Sequence, residues 1–97
     1  STATLTIDTD VNDFAVITAQ SEALTIGAPT GTPVEGQKLI IRIKDDGSAR
    51  SITFNAIFRA IGITLPTTTV SSKITYLGLV YNSTDTKWDV IATKTEA

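Results

Sequence analysis

Three carboxylates lie close together near the start of the chain, at Asp8, Asp10 and Asp13. Hard cations such as calcium are bound by oxygen ligands of this kind. The segment has no glycine to open a binding loop and no glutamate at the spacing of an EF-hand, and acidic residues are common in turns that hold no ion. The sequence therefore predicts a turn at residues 8–13 and no metal site.

Two further pairs of carboxylates, Asp45 with Asp46 and Asp85 with Asp89, have the residue types of a glycosidase site. Such a site needs a cleft that raises the pKa of one partner, and a small domain built from short strands rarely has one. The chain has no histidine and no cysteine, which removes the commonest general base near neutral pH and the thiolate nucleophiles. We therefore expect a protein that has neither enzymatic activity nor a bound cofactor.

The aromatic residues Trp88, Tyr76 and Tyr81 are candidates for a platform on which a sugar ring stacks. Trp88 lies in the middle of an alternating segment, where a side chain of this kind normally points inward. We expect Trp88 and Tyr76 to fill the core together with Phe54 and Phe58. Tyr81, near the end of its segment, is then the candidate for an exposed aromatic contact.

Charge and hydropathy limit the partners of the chain. The net charge is −2, and the eight Lys and Arg residues are scattered along the sequence, which gives no basic stretch for nucleic acid. No apolar run approaches the ~20 residues that cross a bilayer. The length of 97 residues suits one domain over residues 1–97. We expect a single domain that binds neither nucleic acid nor a membrane.

Apolar and polar residues alternate in short segments, and the chain is rich in β-branched side chains, which favour strands. The alternation is clearest at residues 37–44, where Leu39, Ile41 and Ile43 share one face. Ile40 interrupts this pattern. We expect it to face a second sheet or a neighbouring subunit, because an apolar side chain is seldom left in water on a strand.

The remaining segments complete an all-β pattern. Seven strands are predicted, at residues 3–7, 14–18, 23–26, 37–44, 51–54, 73–81 and 87–93. The turn residues Asp46 and Gly47 predict that segment 51–54 returns antiparallel to the strand before it, and residues 55–61 alone have the spacing of a helix face. We expect a small antiparallel β-sandwich or jelly-roll-like domain of about seven short strands with at most one short helix.

The order of Gly, Pro and aromatic positions resembles a known type of module. The segment from Pro33 to Ile43, followed by Asp46-Gly47 and by Ile52 to Phe54, resembles a β module of structural proteins of tailed bacteriophages. The second half resembles its closing part, in which a proline-containing loop precedes two strands, at Leu65-Pro66, Lys73, Leu79 to Asn82 and Lys87 to Val90. The resemblance spans about residues 31–92.

The resemblance implies a non-enzymatic protein located in the virion, at the capsid surface or in the tail. A capsid decoration or cement protein is expected first, binding coat subunits and stabilising the assembled shell. The alternative is a tail-fibre or receptor-binding module that contacts a host glycan. Exposed sheet edges also favour a homo-oligomer, and the resemblance implies a trimer. The residues expected to carry these contacts are Leu5, Ile7, Pro29, Pro33, Ile40, Phe58, Pro66, Thr68 and Tyr81.

Overall fold

The computed structural model describes residues 2–96. These residues form eight strands: β1 (Thr2–Leu5), β2 (Phe14–Gln20), β3 (Ala23–Ile26), β4 (Lys38–Asp45), β5 (Ile52–Phe54), β6 (Phe58–Ala60), β7 (Ile74–Asn82) and β8 (Lys87–Thr95). The all-β prediction is confirmed, since this part of the chain contains no helix. Accordingly, none of its segments is a helix long and apolar enough to cross a membrane.

The strands form two sheets, and the chain passes back and forth between them. One sheet has the order β1-β3-β5, and the other has the order β2-β4-β7-β8-β6. Strands β1 to β5 therefore alternate between the sheets, and the pairs β1-β3, β2-β4 and β3-β5 are parallel. Parallel neighbours need a crossover connection, and in these three pairs the crossover passes through the opposite sheet.

The predicted strand directions are wrong for most of the pairs. Four of the six pairs, β1-β3, β3-β5, β2-β4 and β6-β8, are parallel. The antiparallel pairs are β4-β7 and β7-β8. The hairpin predicted between β7 and β8 is confirmed, and the Asn82 side chain supports it by accepting a hydrogen bond from the backbone N of Asp85 at 3.1 Å.

The hairpin predicted at Asp46 and Gly47 is also wrong. A turn does form there, with Gly47 at a φ of 123°, but the chain crosses to the other sheet. Ile52 lies opposite Leu24 in parallel register. The backbone N of Ile52 donates to the carbonyl of Thr67 at 2.8 Å, so the crossing segment is bound by the loop before β7. Turn residues mark where the chain bends, whereas these tertiary bonds decide its direction.

Residues 55–61, which have the spacing of a helix face, form a turn and the short strand β6. The Asn55 side chain accepts a hydrogen bond from the backbone N of Ile57 at 2.9 Å, which closes the turn. Phe58 then pairs with Trp88 in parallel register. Pairing with β8 satisfies the backbone here, so tertiary contact overrides the local periodicity.

One hydrophobic core contains residues of both sheets. Its buried apolar residues come from both: Ile7, Leu24, Ile26, Leu39, Ile41, Ile43, Ile52, Phe58, Leu77, Leu79, Tyr81, Trp88 and Val90. The predicted shared face of Leu39, Ile41 and Ile43 is confirmed, because all three are fully buried. Trp88 is a core residue as predicted, and its ring contacts that of Tyr81 with centroids 5.1 Å apart.

Candidate interaction surface

The five-stranded sheet turns one face away from the core, and we call this its outer face. On β4, burial of Leu39 and Ile41 forces Ile40 and Arg42 to the opposite side because successive strand residues alternate. Large side chains remain exposed there: Phe14 is 43% exposed, Ile40 39% and Tyr76 42%. The register of β2, β4 and β7 makes these side chains neighbours, so the outer face is a candidate interaction surface.

The strand register arranges the outer face into two neighbouring rows. The apolar row crosses β2, β4, β7 and β8 at Phe14, Ile40, Gly78 and Ala92. The cationic row crosses the same strands at Val16, Arg42, Tyr76 and Lys94. Since Gly78 has no side chain, the Cδ1 of Ile40 lies over it, 3.9 Å from where a Cβ would stand. The apolar row is therefore low and flat beside the cationic row.

Arg42 is held by the aromatic residues on either side of it. Its guanidinium carbon lies 5.3 Å from the ring centroid of Phe14 and 6.0 Å from that of Tyr76. Its Nη1 donates a long hydrogen bond to the Tyr76 hydroxyl at 3.4 Å. An exposed cation–π contact contributes about 0.5–1 kcal/mol, which is enough to favour one orientation. Arg42 makes no ion pair within residues 2–96, so its other N–H groups can bind a carboxylate in the bidentate manner.

The fold gathers basic residues that are scattered in the sequence. Six of the eight Lys and Arg side chains alternate with core residues onto the outer-face side: Lys38, Arg42, Lys44, Arg59, Lys87 and Lys94. Asp85 and Asp89 neutralise Arg59 at 3.1 and 2.9 Å, and Glu96 lies 3.9 Å from Lys44. Arg42 and Lys94 have no such partner among the described residues, so the cationic row carries unneutralised positive charge.

The turn predicted at residues 8–13 is present, and the carboxylates of Asp8 and Asp10 accept backbone hydrogen bonds. The Asp8 carboxylate accepts a hydrogen bond from the backbone N of Asp10 at 3.0 Å. The Asp10 carboxylate accepts one from the backbone N of Thr32 at 2.8 Å. The buried Thr9 donates its hydroxyl to the Thr30 carbonyl at 2.7 Å. No group of three or more acidic, histidine or cysteine side chains is arranged to bind a metal in the part of the chain that the structure describes.

The other carboxylate pairs are also engaged in structural contacts. Asp46 pairs with Arg50 at 3.2 Å. Asp45 is buried beneath it and accepts hydrogen bonds from the hydroxyl of Thr69 at 2.5 Å and from the backbone N of Gly47 and Ser72 at 2.8 and 2.9 Å. Burial opposes ionisation of Asp45, but these bonds and the Arg50 charge outweigh it and hold the pKa below its ordinary value.

The residues predicted to carry contacts are spread over the molecule. Ile40 lies exposed on the outer face, and Thr68 is exposed in the loop before β7. Ile7, Phe58 and Tyr81 are core residues, at most 9% exposed, so their side chains do not lie at the surface where the contacts are expected. Half-buried positions are occupied by Leu5, Pro29, Pro33 and Pro66.

Sequence reasoning missed most of the outer face. Tyr76 was assigned to the core, yet it lies between the buried Thr75 and Leu77, and strict alternation would have placed it outside. Nothing in the sequence around Phe14 or Arg42 indicates a surface site. The two residues lie beside Tyr76 because β2 pairs in parallel with β4. Neither a β2–β4 contact nor its register was predicted.

Comparison with known proteins adds no further information about this surface. No family model matches the chain, and no curated protein or solved structure matches it either. The resemblance to a bacteriophage module therefore depends on the residues described above and stays a prediction.

Proposed function

We propose that this chain is a non-enzymatic structural protein of a virus particle, a decoration or cement subunit that binds the assembled shell through its outer face. The observation that carries the proposal is the exposed apolar row beside the aromatic-flanked Arg42. We further propose that its two sheets pack as a small sandwich, which is consistent with their common core.

The outer face has the properties of a protein-binding surface. Aromatic residues and arginine are the types that most often dominate binding energy at interfaces. Here they stand on strands β2, β4 and β7, which are joined by backbone pairing, so little side-chain and backbone freedom is lost when a partner binds. Flat sheet faces also suit extended contact with a neighbouring subunit, whereas enzymes work in clefts.

Stabilisation of a shell by such a subunit follows from mass action. A protein that binds the assembled particle but not the separated coat subunits lowers the free energy of the assembled state. The test compares particles with and without the bound protein in a thermal disruption assay. The disruption temperature of particles that carry the protein should be higher than that of particles without it. Equal disruption temperatures would contradict the proposal.

Two variants connect that stabilisation to the outer face. Ile40→Glu places a charge in the apolar row and should abolish binding to the particle. Val70→Glu is the matched control, because Val70 is similarly exposed at 46% but lies in the loop before β7. Binding that survives Ile40→Glu but fails in Val70→Glu would place the contact elsewhere.

A second candidate function is a receptor-binding module of a tail fibre that recognises a host glycan. The exposed rings of Phe14 and Tyr76 favour it, since sugar rings stack on aromatic faces and Arg42 lies between them with free donors. Binding of the domain to host cells should then be lost in Tyr76→Ala and retained in Val70→Ala. Absence of cell binding by the unaltered protein would exclude this candidate.

A further inference from the structure

We propose that the free edge of β2 binds an extended peptide segment of a partner protein, which joins the five-stranded sheet as a sixth strand. The inference rests on the proposed function in one respect, because that function assigns the segment to a coat subunit. The segment carries apolar residues on the side of the core and at least one carboxylate on the side of the outer face.

The backbone of β2 has hydrogen-bonding groups that β4 does not use. The carbonyl of Asp13 accepts a hydrogen bond from the backbone N of Ile40 at 3.0 Å, and the parallel register continues regularly over the first four residues of β2. Successive residues of a strand direct their N–H and C=O groups to opposite sides. Ala15, like Asp13, therefore faces β4, whereas Phe14 and Val16 direct their groups away from it. Within residues 2–96, no other strand or loop pairs with the backbone of these two residues.

Among the four edge strands of the described sheets, β2 is the long and uncharged one. It has seven residues, none of them charged and none of them proline, whereas β1, β5 and β6 have four, three and three. β5 is covered, because the backbone N of Ile52 donates to the Thr67 carbonyl at 2.8 Å, and β6 carries the ion-paired Arg59. Folded proteins usually shorten, charge or cover their sheet edges. An uncovered edge of this length therefore indicates a site for a further strand.

On the side of the core, the side chains of β2 are only half-buried. Ala15 and Ile17 lie opposite Ile41 and Ile43 of β4. Both β4 residues are fully buried, whereas the two β2 residues keep part of their surface in water. An added strand would cover this surface with its own side chains, since residues on neighbouring strands stand beside each other on one face. The partner segment should therefore be apolar at alternate positions.

On the outer face, the edge of β2 lies beside a positive charge. The guanidinium carbon of Arg42 is 5.3 Å from the ring centroid of Phe14, so the charge is held close to β2, and Arg42 makes no ion pair within residues 2–96. An acidic side chain beside Phe14 on an added strand can bind this guanidinium. The β2 strand of a second copy contains no carboxylate, so edge-to-edge pairing of two copies would not supply one.

A synthetic peptide with this pattern tests the edge directly. The probe is an acetylated and amidated peptide of alternating valine and glutamate, added to the full chain up to millimolar concentration. Amide hydrogen exchange of Phe14 and Val16, followed by NMR, should be fast in the free protein and slow in the complex. The amide of Ala15, which faces β4, should exchange slowly in both states.

A matched peptide tests the charge at the edge. A peptide of alternating valine and lysine should bind at least about tenfold more weakly than the glutamate peptide, because Arg42 repels it. Arg42→Gln should remove most of this difference. Equal affinity of the two peptides for the unaltered protein would overturn the assignment of a carboxylate to the partner segment.

Substitution of Val16 separates backbone pairing from side-chain contact. Val16→Pro removes an N–H group that points away from β4, so the variant should fold, as thermal melting reports. It should bind both the glutamate peptide and the particle at least about tenfold more weakly than Val16→Ala, which keeps the N–H group. N-methylation of the peptide removes the corresponding donors from the partner and should weaken binding to the unaltered protein, so the test does not depend on the proline variant alone.

The outcomes separate this inference from the proposed function. Absence of protection at Phe14 and Val16, or equal binding by Val16→Pro and Val16→Ala, overturns the inference, and particle binding that depends on Ile40 would leave the proposed function standing. Self-association that is lost in Val16→Pro would show that a second copy occupies the edge and would also overturn it. Protection by the peptide in a protein that binds no particle supports the strand site and refutes the proposed function.

Discussion

Asp45 is the buried group whose removal should damage the fold most sharply. It is 2% exposed, and its carboxylate joins the turn after β4 to the loop before β7 by bonding Gly47 on one side and Thr69 and Ser72 on the other. The hydroxyl of Thr69 in turn accepts a hydrogen bond from the backbone N of Arg50 at 2.7 Å. A single side chain thereby orients both loops.

Two substitutions at this position should differ in cost. Asp45→Ala removes three hydrogen bonds to a charged acceptor, each contributing about 1.5–3 kcal/mol. Allowing for partial replacement by water, we expect a loss of about 3–5 kcal/mol in the free energy of unfolding. Asp45→Asn keeps one oxygen for the N–H groups of Gly47 and Ser72, and its amide can donate to the Thr69 hydroxyl, so it should cost only about 1–2 kcal/mol.

Acid sensitivity provides a second measurement of the same group. The pKa of Asp45 is lowered in the folded protein, so its contribution to stability is complete above its ordinary pKa of about 3.9 and is lost as the pH falls through the lower folded value. Both variants should lack this part of the acid dependence. Their difference in stability from the unaltered protein should therefore narrow as the pH is lowered below about 4.

Urea unfolding followed by fluorescence measures these effects directly, because Trp88 is buried in the core and is the chain's only tryptophan. Asp46→Ala is the control, since its exposed ion pair with Arg50 should contribute less than about 1 kcal/mol. The reasoning is refuted if Asp45→Ala costs no more than Asp46→Ala, or if the variant and the unaltered protein keep the same difference at every pH.

Three backbone positions give further predictions, each measured by the same urea unfolding. Gly31→Ala should destabilise by about 1–3 kcal/mol, because Gly31 has a φ of 94° and an added Cβ would stand 2.9 Å from the backbone N of Asp10. Gly78→Ala should be neutral or stabilise by up to about 1 kcal/mol, since its Cβ would meet only ordinary contacts near 3.7 Å; a large loss would contradict the arrangement of the apolar row. Thr86→Gly should stabilise by about 0.5 kcal/mol, because a β-branched residue is strained at a φ of 54°, and a loss of stability would show that the strain is absent.

The sequence allowed the strands and much of the core to be predicted, but not the sheet order. Alternation along β4 marks Leu39, Ile41 and Ile43 as buried, because this pattern is local and each side chain reports its own face. Strand pairing is not local, since Leu24 of β3 lies opposite Ile52 of β5. Turn residues report only how the chain bends between neighbouring segments. The parallel direction of this pair could therefore not be derived from turn chemistry.

The candidate surface was predictable at one position. Ile40 was recognised because it breaks an otherwise regular alternation. Phe14, Arg42 and Tyr76 come from three different strands and form a group only through the register of β2, β4 and β7. Surface groups assembled across strands therefore become visible only when the pairing is known.

The coiled path of β1 to β5 also bears on how the polypeptide reaches its native state. The pairs β1-β3, β2-β4 and β3-β5 each close a long loop that passes through the opposite sheet. Closing such a loop costs chain entropy before the stabilising contacts between the strands form. β7 and β8 are joined by a short turn, and β4 pairs along most of the length of β7, so this antiparallel unit is the natural nucleus. Because ribosomal synthesis proceeds from the N-terminus, β1, β2 and β3 are synthesised before β7 and β8, which complete this antiparallel unit.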